Sequence, residues 1–133
     1  MTTDVIPLGT ASALPTEARH LSALAVERKG RVLLFDCGEG TQYRLMEADL
    51  PRVRVDAIFV THLHGDHCYG LPGLLSTLAL QQRDDPVTLV LPSGGRAMLD
   101  ATRATRRMPC RFRCALRRST RGSRTRSSMR RRS

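Results

Sequence analysis

The sequence predicts an α/β fold, in which strands and helices alternate along the chain and layer on one another. Three observations carry this. Residues 56–61 and 87–91 are short, nearly continuous apolar runs, as expected of strands buried on both faces. Residues 41–50 and 71–82 space their apolar side chains at helical intervals instead. This alternation runs to about residue 102, where the composition changes abruptly.

The elements follow in order. Residues 5–9 read as a short strand; Pro7 cannot donate to a ladder, so the strand belongs at an edge or a bulge. Residues 10–20 form a loop of small residues. Residues 21–27 and 31–35 read as two strands around a turn at Lys29 and Gly30. Residues 36–40 are a glycine-rich turn, but Gly38 and Gly40 lack the third glycine of a dinucleotide-binding fingerprint. Tyr43, Leu45, Met46 and Leu50 mark a helix that stops at Pro51. After the strand 56–61, the helix 71–82 carries Pro72 in its first turn, where proline is tolerated, and ends before Asp84, Asp85 and Pro86. The strand 87–91 leads to a helix through 96–102 that Ser93 is placed to cap.

Charge divides the chain in two. Residues 1–102 hold nine Lys and Arg against all twelve Asp and Glu, a net of −3, whereas residues 103–133 hold thirteen Arg and no acid. The overall +10 therefore belongs to the tail. The four cysteines, Cys37, Cys68, Cys110 and Cys114, form no pattern expected of a secreted disulfide framework. The first residues lack a basic start followed by an apolar run, and no stretch has the roughly 18 apolar residues needed to span a bilayer, so a soluble cytoplasmic protein is expected.

The chemistry concentrates in residues 62–67. His62, His64 and His67 are three of the chain's four histidines, and Asp66 lies among them, directly after an apolar strand. Imidazole and carboxylate are good ligands for zinc and similar divalent ions, and a strand ending in a short loop can aim several at one point. A polar surface loop is the plainer reading; three histidines within six residues favour the metal. Such an ion lowers the pKa of bound water to about 7, and a pair of ions about 4 Å apart can bind both the attacking and the leaving oxygen of a phosphodiester.

The pattern H-x-H-x-D-H over 62–67 resembles the metal-binding signature of the metallo-β-lactamase superfamily. Together with residues 8–16, 35–42 (FDCGEGTQ) and 70–75 (GLPGLL), it is similar to the ribonuclease Z group of that superfamily, which cuts the 3′ trailer from tRNA precursors. The resemblance covers about residues 5–102. It implies an αββα sandwich, of which residues 1–102 are the N-terminal part. It also implies two zinc ions, with His62 and His64 on one and Asp66 and His67 on the other, and Asp66 as the catalytic proton acceptor. Asp36 would hold the metal loop through hydrogen bonds. Precursor tRNA is the implied substrate and a homodimer the implied assembly.

The departures are specific. In the loop 15–20 Arg19 matches the group and would touch an RNA phosphate or base, while Glu17 and His20 replace its usual Lys and Asn. Family members take further His and Asp ligands from a C-terminal half, yet no histidine follows His67, and Asp100, the sole Asp beyond residue 85, sits in a helical context. The chain alone is thus expected to bind metal weakly and cleave little. Half a sandwich would also leave its inner sheet face as an exposed apolar patch. Cys110 and Cys114 have the spacing of a metal pair but no partners to complete four ligands. Cys68 reads as a packing residue.

Residues 103–133 show no sustained period and too little apolar surface to offset ordering, so disorder is expected. Thirteen arginines would make a phosphate-binding arm. A shifted reading frame in GC-rich DNA would give the same composition, and the abrupt loss of acids, lysines and histidines favours it. The remaining functional alternatives are another phosphodiesterase or hydrolase of the superfamily, and an inactive fragment that binds RNA nonspecifically through the basic tail.

Overall fold

The computed structural model describes residues 2–104 and 112–116. Six strands form one mixed sheet in sequence order: β1 (Asp4–Gly9), β2 (Ala23–Arg28), β3 (Arg31–Phe35), β4 (Val55–Phe59), β5 (Val87–Leu91) and β6 (Phe112–Leu116). The first three are antiparallel neighbours, and β3 to β6 run parallel. β1 is an edge strand whose register shifts between Pro7 and Gly9, the irregularity that proline's missing N–H predicts. Lys29 and Gly30 both take positive φ, 54° and 72°, the conformation that matches a two-residue hairpin turn to strand twist.

The parallel strands are connected by helices: α1 (Thr41–Glu47) after β3, α2 (Gly65–Cys68) and α3 (Leu71–Leu80) after β4, and α4 (Gly95–Ala104) after β5. Leu71, Leu74, Leu75 and Leu78 form the buried stripe of α3 at helical spacing. With Leu45 of α1 and Leu99 of α4 they pack on Val32, Leu34, Ile58 and Leu89 of the sheet in one hydrophobic core. Strand residues alternate between faces. Leu24, Val26, Leu33, Phe35, Phe59 and Val90 therefore line the opposite face, in register with one another across β2 to β5.

Two helices end earlier than the sequence suggests, by the same device. Asp49, at φ 54°, lets Leu50 N–H reach the Leu45 carbonyl at 2.9 Å, and Gln82, at φ 53°, lets Arg83 N–H reach Leu78 at 3.4 Å. Both are left-handed terminations of the kind glycine usually supplies. Arg83 then binds the chain back on itself. Its Nη1 donates to the Val53 and Val55 carbonyls, each at 2.6 Å, and its Nε to the Asp85 carbonyl at 2.8 Å.

Two pieces of the 103–133 segment, for which disorder is expected, are among the described residues. α4 continues to Ala104, and Phe112–Leu116 pairs with β5 in parallel register from Val87↔Phe112 to Leu91↔Leu116. The physical reason is local. β5 offers an unpaired row of backbone donors and acceptors, and a five-residue stretch that alternates bulky apolar with other residues suffices to pair with it. Residues 105–111 and 117–133, with Cys110, lie outside the described residues. Among those described, no helix is long and apolar enough to cross a membrane.

Candidate metal centre

Chain segments leaving the carboxyl ends of parallel strands are where open α/β sheets build sites. Here two such ends are neighbours: β3 runs into Asp36, and β4 into the segment that begins Val60-Thr61-His62. The backbone ties the two together. Asp36 N–H donates to the Phe59 carbonyl at 2.7 Å, Cys37 N–H to the His67 carbonyl at 2.8 Å, and Gly70 N–H to the Cys37 carbonyl at 3.0 Å.

Asp36 is the hub. It is buried and sits at φ 63°, a left-handed conformation that Asp tolerates better than most residues. Its Oδ1 accepts from Thr61 N–H at 2.7 Å and lies 2.9 Å from Thr61 Oγ1. Its Oδ2 lies 3.0 Å from the same hydroxyl and 2.7 Å from His67 Nδ1. A carboxylate only accepts, so His67 Nδ1 carries a proton and donates it to Asp36. The same logic passes through Thr61. Its hydroxyl donates to Asp36 and so accepts from His62 Nδ1, 3.0 Å away, which leaves the lone pair of a neutral His62 on Nε2.

The four predicted ligands are thereby drawn together. His62 and His67 have ring centroids 4.0 Å apart, and His62 and His64 have theirs 4.8 Å apart. The short helix α2, which the sequence did not reveal, carries Asp66 and His67, with Asp66 Oδ2 3.3 Å from His67 Nε2. His62 and His64 are exposed, and Asp66 and His67 half-buried. In kind these donors fit a divalent ion. Among the described residues, however, no three His, Cys, Asp or Glu side chains converge to hold one.

Thr61 is the functional residue that sequence reading missed; its partner lies 25 positions away. Arg19 stays on the 10–20 loop, exposed, where it lines a small cleft of about 70 Å³ with His20 and Arg44. Cys68 is buried and its thiol donates to the His64 carbonyl at 3.3 Å, which makes it a packing and bracing residue.

Burial pushes the Cys37 thiol from its ordinary 9.0 up to about 12. Burial, then the Asp66 and Asp36 carboxylates, raise Cys68. The thiolate is the reactive form. Both cysteines are expected to resist iodoacetamide at pH 8 in the folded protein and to react on unfolding, as peptide mass spectrometry would show; rapid native labelling of Cys37 would refute this. Since its folded pKa is raised, the neutral Cys37 stabilises the fold fully below pH 9.0. That contribution is lost as pH rises toward about 12.

Comparison with known proteins gives the chain a family and a fold. A family model described as Anti-Pycsar protein Apyc1 matches residues 3–102. The chain belongs to that family. Over 101 residues, 76% of this chain, it is also 81% identical to Ribonuclease Z of Salinibacter ruber (strain DSM 13855 / M31), of which it covers 31%. The structure matches the short form of human tRNase Z with a TM-score of 0.78 and 40% identity, over 86% of this chain and 44% of that one. It matches the metallo-β-lactamase fold protein YhfI of Bacillus subtilis with a TM-score of 0.70 at 17% identity, over 89% of this chain and 47% of that one. The fold is thus that of the metallo-β-lactamases, and the likeness to ribonuclease Z lies in the N-terminal part. The chain spans about a third of the Salinibacter relative's length.

Proposed function

We propose that this chain carries the N-terminal share of a zinc-dependent endoribonuclease site that removes the 3′ trailer from precursor tRNA in the cytoplasm. The observation that supports it best is the Asp36–Thr61–His67 bond set, which holds two histidines of the 62–67 segment by their Nδ1 atoms. The 81% identity to a ribonuclease Z adds the substrate class. His62 and His64 would hold one ion, and Asp66 and His67 a second. Divalent ions bound there would lower the pKa of water and neutralise charge developing on phosphate oxygens. Asp66, at the edge of the cluster, accepts a proton from the attacking water. Asp36 and Thr61 touch no substrate; they orient the rings.

A second reading, a metallo-β-lactamase-fold phosphodiesterase acting on smaller esters, is kept because the matching family model is not itself described as ribonuclease Z. Nonspecific RNA binding by the basic 103–133 segment without cleavage is the third.

Two measurements decide among them. Alone, the purified chain is expected to bind zinc weakly and to cut little; two tightly bound zinc ions per chain would contradict the half-site. Residues 1–102 exchanged for the matching part of the Salinibacter relative are expected to yield a chimera that trims a precursor tRNA, with Asp66→Ala lowering its rate by about 10²-fold or more. A chimera that hydrolyses bis-p-nitrophenyl phosphate but spares precursor tRNA moves the reading to the second.

A further inference from the structure

Tyr69 stands two positions after His67 and is 69% exposed. A loose chain is not the reason, because both of its neighbours are anchored. Cys68 is buried, and its thiol donates to the His64 carbonyl at 3.3 Å. Gly70 N–H donates to the Cys37 carbonyl at 3.0 Å, and the N–H of Tyr69 itself to the Gly65 carbonyl at 2.9 Å. The ring is thereby directed back one helical turn onto Gly65. A Cβ at Gly65 would lie 2.4 Å from Cε2, 2.7 Å from Cδ2 and 2.9 Å from Cζ of the tyrosine. Those distances place it above the ring plane, over Cε2, and not at the ring edge. One face of the ring therefore lies on the Gly65 backbone, and the other is open to solvent.

A ring held this way is ready to stack. Its direction is set before any ligand arrives, so little side-chain entropy remains to be lost on contact. Every nucleobase has a π face, and a flat ring takes it without reading its hydrogen-bonding edge. Position decides what such a base would bring with it. Gly65 lies between His64 and Asp66, its Cα about 3.8 Å from each of theirs. The ring thus borders the segment in which His62 draws to within 4.0 Å of His67 and 4.8 Å of His64, centroid to centroid. An apolar platform beside a cluster of imidazole and carboxylate suits a ligand with a flat base and a phosphodiester link next to it.

We propose that Tyr69 is the platform on which a nucleobase of single-stranded RNA stacks, holding one nucleotide beside the 62–67 segment. Its role is to position the substrate; it carries no proton and forms no bond. The inference rests on the ribonuclease reading for the choice of RNA. Stacking itself requires neither metal nor cleavage, so the two can be separated by experiment.

The chain has no tryptophan, so Tyr69→Trp in the full chain puts a single fluorescent reporter on the platform. Val53→Trp is the comparison: position 53 is 44% exposed, between Arg52 and Arg54 and just before β4, at the end of that strand away from the histidines. Attraction of phosphate alone favours this second position. Both proteins are titrated, free of metal, with oligoadenylate and with inorganic polyphosphate, either of which the thirteen arginines of residues 103–133 attract. The expected result is that oligoadenylate quenches the Tyr69→Trp reporter far more than the Val53→Trp one, and that polyphosphate quenches neither. At salt high enough to weaken phosphate contacts, Tyr69→Ala is expected to raise the oligoadenylate Kd about tenfold and Tyr69→Phe to leave it within about twofold, at unchanged circular dichroism. If Tyr69→Trp does not fold, this Ala and Phe pair reads the same contact. Equal quenching of the two reporters, quenching by polyphosphate, or an alanine variant that binds oligoadenylate like the parent overturns the proposal. A chimera that trims precursor tRNA while oligoadenylate leaves the Tyr69→Trp reporter unchanged overturns it and keeps the ribonuclease reading. A quenched reporter beside a chimera that cuts no RNA keeps the platform and removes that reading.

Discussion

Gly70→Ala is expected to lower the melting temperature by roughly 10–20 °C, a loss of about 3 kcal/mol. Backbone freedom is not the reason, since Gly70 sits at φ −76° and ψ −15°, where any residue is at ease. Space is the reason. A Cβ at Gly70 would lie 2.0 Å from the Gly38 carbonyl oxygen, 2.8 Å from its carbon and 3.0 Å from the Cys37 oxygen. All three are backbone atoms, so no rotamer change relieves the overlap. The 36–40 turn must move off the 62–70 segment, stretching the Gly70–Cys37 and Cys37–His67 bonds that join the two halves of the site. Gly73→Ala is the control. It lies within α3, where a Cβ meets only Gln42 Nε2 at 3.4 Å, and it is expected to be neutral or to gain up to about 1 kcal/mol. Thermal and urea unfolding of both variants provide the check. A Gly70→Ala protein that melts within about 2 °C of the parent would mean that the two turns are not in backbone contact.

That contact also explains what the sequence could and could not reveal. The strands were legible because their period is local: β5 and β3 fall on the residues their apolar runs mark, and the hairpin turn on Lys29 and Gly30. Helix ends were not, because Asp49 and Gln82 take the left-handed conformation in glycine's place and give no compositional signal. α2 was missed because four residues are too few to show a helical period, and histidines beside a glycine read as loop. The cluster of His62, His64, Asp66 and His67 was legible through residue type and spacing. Thr61 was not, since nothing local distinguishes a threonine whose hydroxyl bridges Asp36 and His62 from one that merely ends a strand. The β6 strand was hidden for the opposite reason: thirteen arginines in residues 103–133 mask the five-residue alternation that pairs with β5.

Asp36→Asn is expected to lower zinc affinity by about 10–100-fold in the chimera with the Salinibacter relative, the range seen when a group behind a metal ligand is lost. The substitution is nearly isosteric, and Asn accepts the left-handed backbone at φ 63°, so the turn itself survives. Its amide oxygen can still accept from Thr61 N–H. Its NH₂ then faces His67 Nδ1, and a donor there requires that nitrogen to accept. The proton moves to Nε2, and the lone pair that a metal needs is turned away. Two charge-assisted bonds become neutral or are lost, at a cost of about 1–3 kcal/mol in stability. Thr61→Val separates the parts: it removes the hydroxyl link to His62 but keeps Asp36 on His67, and should weaken binding less than Asp36→Asn does. Competition against a chromophoric chelator measures affinity, and thermal melting of the metal-free protein measures stability. If melting falls while zinc affinity holds, Asp36 serves the turn alone. If affinity falls in the order expected, the carboxylate acts through the rings it orients, and half of the site is set before any metal arrives.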